Sequence, residues 1–171
     1  RIAEAPVVIH FGNKFGALKP ATVKAMALDS LAVFYRLRML DYYASRTIPP
    51  PLGHEPLVSV VIACPRASAV LEECLEGLSA QTYRHFEVIV LPDGPEPGLE
   101  AGGRVRVIPT GKVRPAEKRN VGLAAAKGEI VAFIDDDAYP DAHWLEYAVR
   151  EFGDPTVGAV GGPGVTPPGD G

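Results

Sequence analysis

From Val58 onward the chain alternates short apolar runs with helix-length segments, and that alternation leaves few folds open. Val58-Ser59-Val60-Val61-Ile62-Ala63 is β-branched and apolar on both faces, as in a buried parallel strand. Ser68 can cap a helix running to Ala80, with Val70, Leu71, Cys74, Leu75 and Leu78 on one side. Phe86-Glu87-Val88-Ile89-Val90-Leu91 is a second buried run, stopped by Pro92-Asp93-Gly94-Pro95. Arg104 to Ile108 is a third strand, more polar. Pro115 to Lys127 reads as a helix, with Pro115 in its first turn and Gly128 just past its end. Ile130 to Ile134 is a fourth strand, Pro140 to Phe152 another helix, and Val157 to Val160 a short strand. This order predicts an α/β fold: a mostly parallel sheet flanked by helices, with ligands at the carboxyl ends of the strands.

The first part of the chain differs. Ala5 to His10 reads as a strand and Phe11 to Lys19 as a loop. Pro20 opens a helix running to Tyr43, with Val23, Met26, Ala27, Leu31, Phe34, Leu37 and Leu40 on one face. Arg36 and Arg38 add basic groups. Such a helix packs on its own domain or touches a membrane surface. Pro49-Pro50-Pro51 and Gly53 then form a stiff, extended connection. The expected division is a strand and long helix over 1–47, a proline-rich linker over 48–56, and an α/β domain over 57–171.

Composition narrows the function. The net charge of −4 over 171 residues argues against a general nucleic-acid binder. Cys64 and Cys74 lack the spacing of a zinc site or redox pair and read as reduced thiols. No stretch reaches the roughly 18 apolar residues a membrane span needs. The chain starts without a methionine and stops in a Gly/Pro-rich run, which reads as a fragment.

The chemistry concentrates at two strand ends. Asp93 follows the second strand and Asp135-Asp136-Asp137 the fourth, and both strands read as buried. In an open α/β sheet both face one crevice. Three adjacent carboxylates repel one another unless something positive binds there. Mg²⁺ or Mn²⁺ suits such oxygen ligands and can bridge to a diphosphate. Asp-x-Asp spacing lets the outer two side chains point the same way along extended backbone. Lys118-Arg119-Asn120 lies on the preceding helix. It is either a solvated face or the source of a guanidinium for the diphosphate.

These stretches resemble the amino-terminal part of the family-2 glycosyltransferases. The resemblance is carried by Val58 to Ile62, Leu78-Ser79-Ala80-Gln81-Thr82-Tyr83, Glu87 to Gly94, Lys118 to Gly128, and Phe133 to Asp137, in that order and spacing. It covers roughly two-thirds of the chain and implies the GT-A (Rossmann-like) fold, incomplete at the carboxyl end. It also implies an inverting transferase that uses a nucleotide-diphosphate sugar donor, a glycan or lipid-linked acceptor, and Mn²⁺ or Mg²⁺. Asp93 would contact the nucleoside, Asp135 the ribose and metal, and Asp137 the metal. Arg119 and Asp136 would complete the nucleotide-sugar site. The catalytic base is expected beyond Gly171. Cytoplasmic placement at the inner face of a membrane, with peripheral association, is a further implication. Two departures stand out: Ala63-Cys64-Pro65-Arg66 after the first strand, and Pro92-Asp93-Gly94-Pro95, which keeps one acid where the family has two.

Val7-Val8-Ile9-His10-Phe11-Gly12 and the helix with Phe34-Tyr35-Arg36 more weakly resemble the carboxyl end of related family-2 enzymes. On that reading the chain spans the junction of two transferase domains, and His10 serves a preceding metal site or none. Two other functions fit parts of the pattern. One is a nucleotide-binding module without catalysis. The other is a phosphohydrolase with an aspartate nucleophile, disfavoured because the first strand ends in Ala63-Cys64-Pro65.

Overall fold

The computed structural model describes residues 2–3, 7–9, 28, 31, 35, 50–99, 103–162 and 164–165. Two compact units are present: Arg1–His10 with Pro50–Gly171, and Phe11–Pro49. In the second unit the described residues Leu28, Leu31 and Tyr35 are helical and exposed. The rest of the expected Pro20–Tyr43 helix, and His10, lie outside the described residues.

The first unit holds nine strands and three helices among its described residues. The strands are β1 (Ile2–Ala3), β2 (Val7–Ile9), β3 (Val58–Ala63), β4 (Phe86–Leu91), β5 (Val105–Val107), β6 (Ile130–Asp135), β7 (Ala138–Pro140), β8 (Ala159–Val160) and β9 (Gly164–Val165). The helices are α1 (Ala69–Ser79), α2 (Pro115–Ala125) and α3 (Trp144–Glu151). The main sheet is parallel, in the order β5-β4-β3-β6.

Alternation along the strands builds both faces. Val58, Val60 and Ile62 join Val88, Val90, Leu71, Cys74, Leu78, Trp144 and Leu145 in one core cluster. Val61, Ile89 and Leu91 point to the other side, where Ala125 and Ala126 at the end of α2 cover them. Each fully buried Val, Leu or Ile among them contributes about 1.5–3 kcal/mol. Ser68 caps α1 as expected, its Oγ accepting from Leu71 N–H at 3.2 Å.

Gly122 lets α2 approach closely: a Cβ there would sit against the Val61 side chain and 2.9 Å from Leu91 Cδ1. Gly128 matters for the same reason, because a Cβ would come within 2.6 Å of Leu57 O and Ser59 N. Beside it a buried polar knot closes the amino end of the sheet. Ser59 Oγ donates to Glu87 at 2.8 Å and accepts from Gly128 N–H at 2.8 Å. Glu87 also accepts from Lys127 N–H at 2.9 Å.

Three expectations need correction. The helix read from Pro140 starts at Trp144, because Ala138–Pro140 is a strand. The turn between them is made by Asp141, whose carboxylate accepts from His143 N–H at 2.8 Å. Helix α2 stops at Ala125, since Ala126 turns to extended backbone. Strand β6, expected to be buried, is an end member of the sheet with only Ile134 buried and Phe133 47% exposed. The proline-rich stretch also makes contacts within this unit. Its residues from Pro50 belong to the α/β unit: Tyr83 Oη donates to Pro56 O at 2.5 Å, and His85 Nδ1 lies 2.8 Å from Glu55 O.

The two amino-terminal strands pair within the same unit. Val7–Ile9 pairs with Ala138–Pro140 and Gly164–Val165, and Ile2–Ala3 with Ala159–Val160, so both strands belong to the α/β unit.

Candidate functional site

Strands β4, β3 and β6 end in one row. Ala63 lies opposite Leu91 on one side and Asp135 on the other. The chain leaves these ends as loops, so backbone carbonyls there have lone pairs left for side chains, Leu91 O accepting from Cys64 N–H at 3.3 Å besides.

Lys118 uses them. It lies one turn before Gly122 on the same face of α2 and is 3% exposed. Its ammonium donates to Cys64 O at 2.7 Å, Leu91 O at 3.0 Å and Asp93 Oδ1 at 2.6 Å. All three ammonium protons are therefore used, as a buried charge requires. Asp93 is held further by its own N–H, which donates to Pro65 O at 3.0 Å. The ends of β3 and β4 are thus tied together by one cation, and a half-buried carboxylate is aimed by it.

Arg119, the next residue, points to the other strand end. Its guanidinium donates to Asp135 Oδ1 at 2.5 Å. Arg119 and Asp135 are 39% and 63% exposed, so the pair contributes little stability and is free to exchange partners. Two neighbouring residues of α2 thereby engage the two predicted acidic sites, Lys118 with Asp93 and Arg119 with Asp135.

Asp136 and Asp137 form the turn between β6 and β7. Asp137 is exposed, and Asp136 is half-buried. Burial, then the charges of Asp137 and Asp135, raise the Asp136 carboxyl above the usual range, while Lys118 opposes them. Helix α1 lies beneath. Cys74 Sγ is 3.8 Å from Asp135 O, and burial followed by the Asp136 charge pushes its thiol up to about 12. Cys64 is raised to about 11 by the same two causes. Both cysteines are free, as expected, and both are inert at neutral pH.

The Leu78 to Tyr83 motif frames this turn from a distance. Buried Gln81 donates to Gly77 O at 3.2 Å and Asp141 O at 2.6 Å, and accepts from Leu145 N–H at 3.0 Å. Thr82 Oγ1 donates to Glu146 at 2.6 Å. The end of α1 is therefore fastened to the start of α3, which fixes the chain leaving β7.

The structure brings Asp93, Arg119, Asp135, Asp136 and Asp137 to one end of the sheet. Lys118 is the residue that sequence reasoning left unassigned. Its signal was its place four residues before Gly122, on the face of α2 that must approach the sheet. Among the described residues no three acidic, histidine or cysteine side chains already converge as a metal cage. A cleft of about 610 Å³ runs along β6 between Leu52, Phe133, Trp144 and Gly162, and it contains none of these residues.

A parallel sheet with acids and two cations at its carboxyl ends defines an α/β domain with its ligand crevice at that edge. The model of glycosyl transferase family 2 matches residues 59–171, and the chain belongs to that family. It is 33% identical over 129 residues to the pre-mycofactocin glycosyltransferase of Mycobacterium tuberculosis, covering 71% of this chain and 26% of that one. It is 30% identical over 118 residues to glycosyltransferase AglE of Haloferax volcanii, covering 63% of this chain and 39% of that one. Among solved structures it is similar to the mannosyltransferase PcManGT of Pyrobaculum calidifontis, determined in complex with GDP-Man and Mn²⁺. That match has a TM-score of 0.56 and 25% identity, covering 80% of this chain and 46% of that one. The fold is of the GT-A type. The chain spans well under half the length of the curated relatives it matches. Among the described residues no helix is long and apolar enough to cross a membrane.

Proposed function

We propose that this chain holds the donor site of a glycosyltransferase that moves a sugar from a nucleotide-diphosphate sugar to a hydroxyl of a glycan acceptor. One observation carries the reading: Lys118 and Arg119, adjacent on α2, hold Asp93 and Asp135 at the ends of β4 and β6. Asp93, fixed by a buried cation, is set to accept hydrogen bonds from a nucleobase. Asp135 is set to accept from ribose hydroxyls. Arg119, on an exposed and weak ion pair, can turn to the diphosphate, for which a guanidinium is suited.

The residues of the turn fit a hard divalent cation. Their donors are carboxylate oxygens; burial first, and then the Asp137 and Asp135 charges, lift the Asp136 carboxyl, and a cation would offset that repulsion. Mg²⁺ is held by one or two carboxylates that share the ion with phosphates and water. Asp137 and Asp135 would hold it, and when bound it supplies charge neutralisation for the leaving diphosphate. In the transfer, the acceptor oxygen bonds to the anomeric carbon as the bond from that carbon to the diphosphate breaks. The proposal includes inversion at that carbon, which the configuration of the product tests.

Calorimetric titration of UDP, GDP and dTDP with and without Mn²⁺ tests the site. Metal-dependent binding of one nucleotide is expected. Asp137→Ala should remove that binding while leaving the circular dichroism spectrum intact, since it deletes one crowded, exposed carboxylate. Unchanged affinity in Mn²⁺ would refute the metal assignment.

A further inference from the structure

The acidic turn is held on its two sides by different parts of the chain. Upstream, β6 is paired along its whole length with β3. Downstream, β7 is paired with β2, a strand from the amino end. Ile9 lies opposite Ala138, the residue directly after Asp137. Strand β2 is the middle of a three-stranded sheet, antiparallel to β7 and parallel to Gly164–Val165. Strands β7 and β9 are joined through β2 and not to each other. Among the described residues, β2 is the only strand that β7 pairs with. Ile2–Ala3 adds a second anchor, parallel to Ala159–Val160.

This arrangement has a mechanical meaning. Three adjacent carboxylates push the turn apart. Ala138 and Pro140 are buried, so the backbone of β7 must find hydrogen-bond partners within the protein. Packing of Gly77 against Pro140 seats one face of β7, but it satisfies no backbone group. The ladder to β2 supplies those partners and fixes where the chain goes after Asp137.

We infer that Val7–Ile9 is a strand clamp for the donor site: by filling the slot between β7 and β9 it sets the position of Asp137 relative to Asp135, and so the affinity for a divalent cation with its nucleotide. The clamp is a positioning element, and its consequence for binding rests on the function proposed above. Its occupant is the chain's own amino-terminal strand. The slot has the chemistry of strand addition, in which main-chain hydrogen bonds supply the attachment.

The test uses the full chain. Val8→Pro removes an N–H from the middle of a strand paired on both sides, so one ladder bond is lost whichever way that N–H points. Val8→Gly, which keeps the N–H and weakens the strand, is the second variant in case the first fails to fold. Two readouts are taken: amide hydrogen exchange at Ala138 and Tyr139 without ligand, and titration of Mn²⁺ with and without UDP or GDP. The expected result for Val8→Pro is loss of protection at whichever of those amides faces β2, and at least a tenfold fall in Mn²⁺-dependent nucleotide affinity. Val8→Gly should lie between it and the unmodified chain. A synthetic peptide of residues 5–11 should restore protection in Val8→Pro.

Unchanged protection, or lost protection with unchanged affinity, would overturn the inference. Protection that depends on protein concentration would assign the strand to a second copy and overturn the intramolecular clamp. If the unmodified chain binds no nucleotide with Mn²⁺, the donor-site reading fails and the clamp's effect on binding fails with it. The exchange data would still decide whether the strand is seated.

Discussion

Lys118 and Asp93 form the pair on which the site is built, with the ammonium 2.6 Å from the carboxylate and nearly all of its surface buried. The lysine also satisfies two strand-end carbonyls, so the pair is part of the sheet as well as of the crevice.

Lys118→Met tests both roles. It removes the ammonium from Cys64 O, Leu91 O and the Asp93 carboxylate, while Leu91 O keeps the Cys64 N–H at 3.3 Å. Removing one partner of a buried pair costs about 3–5 kcal/mol. Asp93 is one-third exposed and can recover water, so the expected loss is about 2–3 kcal/mol in urea denaturation. Nucleotide affinity should fall at least tenfold in calorimetry. A stable variant with full affinity would show that Lys118 does neither job.

Arg119→Ala should separate binding from stability. Its ion pair is exposed, so stability should change by less than about 1 kcal/mol. Affinity for a nucleoside diphosphate should fall about tenfold, while affinity for the bare nucleoside should hardly change. Equal losses for both ligands would place Arg119 away from the diphosphate.

Gly122→Leu should act at a distance. The added side chain must enter space held by Val61 and Leu91, and overpacking of this kind costs about 1–3 kcal/mol. Pushing α2 outward also draws Lys118 from the strand ends. The measurable sign is a drop in nucleotide affinity from a residue that touches no ligand, alongside a lower melting temperature.

Glu87 predicts a pH dependence of stability unrelated to the crevice. Burial alone would raise its carboxyl. The hydrogen bonds from Lys127 N–H and Ser59 Oγ, with the Arg106 and Lys127 charges, outweigh burial and lower it. The unfolded chain therefore takes up this proton more readily. The stabilisation is complete above the ordinary glutamate range and is lost as pH falls through the lowered folded value. Glu87→Gln should cost about 1–2 kcal/mol at pH 7, and the gap to the unmodified chain should close in acid. A gap that stays constant down to pH 3 would rule the mechanism out.

The sequence was informative wherever local chemistry decides the structure. The β-branched runs at Val58 and Phe86 became strands with the expected bounds, because burial on both faces leaves such runs few alternatives. Ser68 capped its helix because a hydroxyl at that place can satisfy a free N–H. The acidic residues reached one end of the sheet because strand order in a parallel sheet puts them there. Burial of Lys118 was not legible, since a lysine on a helix reads as solvated until the close approach at Gly122 is known. Nor was β7, whose three residues carry no periodicity and owe their extended form to a partner far away in sequence. The amino-terminal strand itself was recognisable from Val7 to Ile9, but alternation along a strand does not say which neighbour it will find.

That distant partnership has a consequence in time. Val7–Ile9 leaves a ribosome well before Ala138–Pro140 and Gly164–Val165 do. Contacts of such long range close slowly, because the loop entropy must be spent before any ladder bond repays it. The β3 to β6 sheet and its helices need no help from the early strand, so they can assemble while it waits. A newly made chain therefore acquires its architecture before its ligand competence, and in refolding from urea the recovery of nucleotide binding should lag behind the recovery of the circular dichroism signal.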